Sequence, residues 1–424
     1  VELFAAADPR EHLGDPPDAR ELLDRGAGQI AELDGPSELT ATLLLRMGEA
    51  YRHIGASNQA DALFSKALDL NSLPRELRVD IELEQADLWR EIGFLEQAET
   101  RLAALITLLE ASPTTPNALA SAYNNYGLVL DLLERPEQAE TWVRKALAVD
   151  LPDNRDSRID RLAFGNNLAL ALSRQGRHQE AIELIEQVIA EKIIVYGRDH
   201  PSVLLSRRNQ ADDFRQTGQF AKAASVLDEI RAVHVRIHGE SSLAVAAIDD
   251  ALANTWHDAG EFDKAEAAYR RAHAFLEAHP QSDPSLHAFV TNNLASLFED
   301  RGNLVEAERW FSRSVALRES LFARESLPYL RGLMNRVRVQ IQLGQLEQAG
   351  RDLATIEQAL DAHHPEQTSR HLQADLLRAE WQVAIGQYEE ARTTMANIDP
   401  DIVAAQSANS RFARRWRDLE NKLR

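Results

Sequence analysis

Side chains able to do covalent chemistry are scattered along this sequence. No His-Glu-x-x-His pair, no Gly-x-Ser-x-Gly nucleophile turn and no calcium loop occurs. Cysteine is absent, which removes disulfides, thiolate metal sites and cysteine nucleophiles. His363 and His364 adjoin Pro365, but no carboxylate spacing around them suits a metal. The polar residues that do draw attention work without covalent bonds. Asparagines come in pairs at Asn124–Asn125, Asn166–Asn167 and Asn292–Asn293, and arginines stand at Arg174, Arg208 and Arg215. An asparagine amide both donates and accepts hydrogen bonds, so it can pair with extended backbone or with its neighbour. Arginine can clamp a carboxylate through two parallel bonds. The chemistry on offer is therefore recognition. No catalytic residue, cofactor or metal is expected.

The elements that position these residues follow from a repeat. Gly176, Gly218, Gly260, Gly302, Gly344 and Gly386 are spaced 42 residues apart, each followed five residues later by alanine, from Ala181 to Ala391. Looser copies precede them at Gly55–Ala60 and Gly93–Ala98, with Glu134–Ala139 holding the register where glycine is missing. That makes nine copies, and a period in this range means a solenoid or array. Around Gly260, Ala247, Ile248, Leu252, Ala253 and Trp256 precede and Phe262, Ala265, Ala268, Tyr269 and Ala272 follow, both at helical spacing. Glycine closes the first helix in the left-handed conformation, and the small alanine lets the second helix lie close. Trp256 and Tyr269 are expected to fill the remaining space.

The first copy reads Leu44, Met47, Gly48, Tyr51, then Gly55, then Ala60, Phe64 and Ala67. In these offsets the chain resembles the tetratricopeptide repeat (TPR) family from about Leu44 to Ile398. Asn-Asn-Leu-Ala at Asn166–Ala169 and Asn292–Ala295, with Tyr-Gly-Arg-Asp-His-Pro at Tyr196–Pro201, is similar to the long units of kinesin light chains and of many bacterial signalling proteins. Ala251 and Leu376 depart from that pattern at asparagine positions. The resemblance implies an all-α fold, a right-handed superhelix (an α-solenoid) of about nine helix pairs whose first helices line a concave groove. Groove-facing positions would then be Asn124, Asn166, Arg174, Arg208, Asp212, Arg215, Asn254, His257, Asp258, Asn292, Glu299, Arg331 and Arg338. The alternative reading is structural: Asn125, Asn167 and Asn293 hold repeats in register, and Arg174, Arg208 and Arg215 form a ladder with Asp212, Asp213 and Asp258. Trp142 and Trp310 are expected between helices.

The chain has 424 residues and a net charge of −20, which disfavours nucleic acid and anionic membrane surfaces as partners. No apolar run is long enough to span a membrane. The expected organisation is a segment at 1–17, a leading helix at 18–33, repeats from 37 to 400 and a capping helix in 401–424. Phe412, Trp416, Leu419 and Leu423 share one face of that last helix, opposite a basic face. The Ser-Pro-Thr-Thr-Pro junction within Ala111–Asn117 is the expected bend, or the seam between an early block of two units and the regular block. Val1-Glu-Leu-Phe4, Asp8-Pro9 and Ala19–Gly26 are similar to the segment that opens the C-terminal repeat region of bacterial serine/threonine protein kinases. That implies a non-catalytic sensing or docking region that binds a protein or peptide, extracytoplasmic if a membrane span precedes Val1 and cytoplasmic otherwise. The alternative is a free-standing scaffold or a peptide-responsive regulator whose superhelix changes shape on ligand binding.

Overall fold

The structure is a computed structural model that describes residues 23–24, 37–112, 115–366, 368–398 and 411–423. These contain nineteen helices and, among the described residues, no strand. The chain divides between Thr217 and Gly218 into two compact units. The first holds α1 (Ser37–His53), α2 (Ser57–Leu68), α3 (Arg75–Glu91), α4 (Leu95–Ala111), α5 (Pro116–Leu132), α6 (Pro136–Ala148), α7 (Arg155–Arg174), α8 (His178–Tyr196) and α9 (Pro201–Gln216). The second holds α10 (Phe220–His238), α11 (Leu243–Asp258), α12 (Phe262–Ala278), α13 (Pro284–Asp300), α14 (Leu304–Leu321), α15 (Leu327–Gln342), α16 (Leu346–His363), α17 (Thr368–Ala384), α18 (Tyr388–Ala396) and α19 (Arg411–Leu423). The junction at 111–117 lies inside the first unit, and its residues 113 and 114 are outside the described set.

Within each unit every helix packs on the next in sequence. First helices also touch first helices: α1 on α3, α3 on α5, α5 on α7 and α7 on α9, then α11 on α13 and α15 on α17. Within each unit, first helices therefore form one layer and second helices another, the arrangement of an α-solenoid.

The turn between paired helices is set by one residue with positive φ. Gly176 has φ 75° and Gly260 φ 75°. The next residue's amide then bonds back five residues, as in Arg177 N–H to the Leu172 carbonyl at 3.0 Å. Glu134 stands in this register with φ 59°, and Arg135 N–H still reaches the Leu130 carbonyl at 2.9 Å. The repeat register thus imposes a left-handed backbone on a residue whose Cβ disfavours it.

The alanine after each turn is almost wholly buried, from Ala60 to Ala391, each at 0–1% exposure. Close approach is tight at Gly127 in α5, where a Cβ would lie 2.7 Å from Val143 Cγ2 in α6. Tyr51, Phe64, Tyr269 and Phe311 fill the larger gaps and are fully buried. Each contributes about 1.5–3 kcal/mol by leaving water. Trp256 differs from expectation: it is half-buried, with the Lys264 ammonium 4.5 Å from its ring centroid. Trp142 packs edge-on against Tyr126 at 5.0 Å, and Trp310 edge-on against His273 at 5.0 Å. Pro116, Pro136, Pro201, Pro284 and Pro328 sit in first helical turns, where the missing N–H costs nothing.

At the end of the second unit α19 packs on α17 and α18. Its Phe412, Trp416, Leu419 and Leu423 meet Leu376, Ala379 and Ala391. Arg392 ties the end down by donating to the Leu423 carbonyl at 2.8 Å. Of the leading helix, only Leu23 and Asp24 are described. Leu23 packs on the core of α1 and α2, and Asp24 accepts from the Tyr51 hydroxyl at 2.6 Å. The rest of the 1–36 segment, with the kinase-like motif, and residues 399–410 lie outside the described residues.

Candidate functional site

The paired asparagines are brought together across repeats. Asn167 Nδ2 on α7 donates to Asn124 Oδ1 on α5 at 2.9 Å, and Asn124 Nδ2 donates to Asn125 Oδ1 at 3.1 Å. In the second unit Asn335 on α15 donates to Asn292 Oδ1 on α13 at 3.0 Å. Asn293 donates to Asp250 and to Asn254 Oδ1, each at 3.2 Å, and the Tyr269 hydroxyl donates to Asn254 Oδ1 at 2.7 Å. An asparagine at the second of these positions thus reaches the first position of the preceding repeat, 43 residues back, as Asn167 and Asn335 do, which fixes the stagger of first helix on first helix. Asn166 accepts instead from the Ser206 hydroxyl at 2.8 Å, and that hydroxyl accepts from Lys192 Nζ at 2.9 Å. Burial alone lowers the Lys192 pKa to about 8.

The charged candidates split. Arg174 Nε pairs with Asp131 at 2.8 Å, one repeat earlier, and Asp131 keeps its other oxygen buried without a partner. His257 Nε2 lies 2.9 Å from Asp300, one repeat later. Arg338 is 8% exposed and holds Glu299 by two bonds of 2.7 Å. Asp213 takes the Ser173 hydroxyl at 2.5 Å and His178 Nδ1 at 2.9 Å, and burial raises its pKa against these bonds. On α9, Arg208, Asp212 and Arg215 share a helical face; Arg215 bonds Asp212 at 2.6 Å, whereas Arg208 is exposed and has no ion pair among the described residues.

A cavity of about 280 Å³ in the second unit gathers four arginines: Arg331 and Arg338 of α15, Arg370 of α17 and Arg415 of α19. Leu377 and Phe412 supply apolar wall. Glu299 neutralises Arg338, and Glu380 neutralises Arg415 through bonds of 2.8 and 2.5 Å. Arg370 donates to Gln373 Oε1 at 3.2 Å. Arg331 lies over the Phe289 ring at 5.6 Å, and burial, then Arg370, hold its pKa below the ordinary arginine value. The groove positions read from sequence include Arg331 and Arg338; Arg370, Arg415 and Phe412 were not among them. The repeat spacing could have placed Arg370 on the first-helix layer. Nothing in it points α19 at this spot.

Packed helix pairs, a left-handed residue at each turn between paired helices and polar bonds stepping one repeat at a time define a helical-repeat protein. Family models described as tetratricopeptide repeat match residues 161–234, 290–326, 120–152 and 246–271 of the chain. No curated protein matches it in sequence. Among solved structures, the apo form of RapI is 10% identical and superposes with a TM-score of 0.56, covering 90% of this chain and 98% of RapI. A Rap protein complexed with competence and sporulation factor is 14% identical with a TM-score of 0.55, covering 92% and 99%. The apo quorum sensor NprR from B. thuringiensis is 13% identical with a TM-score of 0.52, covering 82% and 93%. At these identities the likeness is one of fold. No described helix is long and apolar enough to cross a membrane.

Proposed function

We propose that this repeat array is a non-catalytic module that binds a protein or peptide on its first-helix layer. The observation that carries the reading is the polar face of α9. Arg208 stays exposed without an ion pair among the described residues, one turn from the Arg215–Asp212 pair. Arginine in such a place suits a carboxylate or a backbone carbonyl of an incoming chain. Asn124 and Asn166 in the first unit, and Asn254, His257, Asn292 and Arg338 in the second, stand on first helices but are already bonded to neighbouring helices, so they serve mainly to hold their own unit in shape. Attachment to a bacterial serine/threonine kinase is part of the proposal and rests on the motif at 1–26 alone.

A second reading, a peptide-responsive regulator, is favoured by the fold it shares with a Rap protein complexed with competence and sporulation factor and with the quorum sensor NprR. The experiment is selection from a random peptide library followed by fluorescence anisotropy with the selected peptides. The binding reading expects Arg208→Glu to weaken a selected peptide about tenfold at unchanged helical content. Peptides that bind equally well to the variant would place the site elsewhere. Compaction of the chain in X-ray scattering on adding the peptide would select the regulator reading.

A further inference from the structure

We infer that the cavity framed by α15, α17 and α19 binds a phosphomonoester dianion carried on an apolar stem. The charge balance at the cavity leads there. Two of its four arginines are neutralised bidentately, Arg338 by Glu299 and Arg415 by Glu380. The other two, Arg331 and Arg370, meet no carboxylate among the described residues, which leaves two positive charges side by side. Arg318 lies behind them, bonded to the Pro328 carbonyl at 2.8 Å; burial, then Arg331, lowers its pKa to about 10.

This is unlike the rest of the chain. Acidic residues outnumber basic ones 67 to 47, and other partly buried arginines in the chain gather several carboxylates each. Arg52 meets Glu84, Asp87 and Glu91; Arg231 meets Glu240 and Asp249. Gathering desolvated cations without counter-charge costs stability, and an anionic ligand would offset that cost. A phosphate ester carries about −1.5 to −2 charges at neutral pH, which matches the two open guanidinium groups, whereas a carboxylate supplies half of that. The guanidinium fork suits phosphate oxygens, and Leu377, Met334 and Phe412 offer wall for the group that carries the phosphate. The inference goes beyond the peptide reading and does not need it, since that reading is tested at Arg208 in the other unit.

The test is calorimetric titration of the full chain with phenyl phosphate, benzoate and inorganic phosphate. Phenyl phosphate is expected to bind at least about tenfold tighter than benzoate, and to strengthen between about pH 5 and pH 7 as its second proton leaves. Arg331→Gln and Arg370→Gln are each expected to weaken it about tenfold or more, with Arg208→Glu without effect. Arg370→Gln keeps the test open if Arg331→Gln fails to fold. A peptide bearing one phosphotyrosine, compared with its unphosphorylated form, supports a protein source if it binds tighter than phenyl phosphate and a small-molecule source if it binds more weakly. No binding of phenyl phosphate, binding indifferent to both substitutions, or benzoate as the tighter ligand overturns the proposal.

Discussion

The asparagine ladder of α5 and α7 and the arginine cavity of α15, α17 and α19 handle buried polarity in opposite ways. In the ladder Asn124, at 6% exposure, is satisfied on both sides: it accepts from Asn167 of the next repeat and donates to Asn125 beside it. In the cavity two guanidinium groups find none of the opposite charge among the described residues. A satisfied network specifies register, because a slipped repeat would leave buried amides unpaired. An unsatisfied cluster of charge specifies a ligand or costs stability for nothing. The contrast separates polar residues that build the solenoid from those left over for a partner.

The largest expected effect breaks the contrast at its paired edge. Glu299→Gln strips Arg338 of its counter-charge inside the fold, with both side chains below 10% exposure, and is expected to cost about 3–4 kcal/mol in urea unfolding. Next comes the histidine pair of α12 and α13. His273 and His287 stack edge-on at 5.1 Å; His287 has neither ring nitrogen bonded, and His273 leaves Nε2 unbonded. Burial first, then Arg313, lowers the His273 pKa to about 4. Its folded pKa lies below the unfolded value, so the unfolded chain binds more protons. Stability should be full above about pH 6.5 and fall by on the order of 2–3 kcal/mol as pH drops through 4. Glu277, Arg270 and Arg313 face the pair. His273→Leu should flatten that part of a stability–pH curve, and an unchanged slope would count against it.

A smaller effect sharpens the ladder. Asn167→Ala should cost about 1–2 kcal/mol by leaving the buried Asn124 oxygen unpaired, and a double-mutant cycle with Asn124→Ala should recover part of it as coupling. Strict additivity would remove the register role. The smallest concerns the turn where the repeat lacks its glycine. Glu134→Gly should stabilise by about 0.5–1 kcal/mol, the relief of a left-handed Cβ less the entropy glycine adds to the unfolded chain. A lower unfolding midpoint would show that the Glu134 side chain earns its place.

Much of the fold could be read from spacing alone. The 42-residue period placed the turns between paired helices from Gly176 to Gly386, and the missing glycine at Glu134 was visible as a gap in the register before φ 59° gave it a geometry. Long-range pairing was less legible. The asparagine positions stood out, but Asn167, Asn293 and Asn335 each reach a partner 43 residues back, one repeat plus one residue, and only the stagger of packed helices reveals that offset. Arg174 was read with the acids of the following repeat, whereas Asp131 of the preceding one holds it. The cavity was least legible, because Arg415 and Phe412 come from α19, which stands outside the repeat and has no register to extrapolate. Trp256 sits where a filler was expected, yet Tyr269 alone takes that space and Trp256 stays half-buried under Lys264.

The contrast between built-in and left-over polarity is tested most directly by the urea unfolding midpoint of Arg331→Gln. If Arg331 is a desolvated cation with no carboxylate partner, neutralising it leaves the midpoint unchanged or raises it. A midpoint lowered by the equivalent of about 1 kcal/mol or more would mean that Arg331 belongs to the fold's own polar network, and would contradict the account.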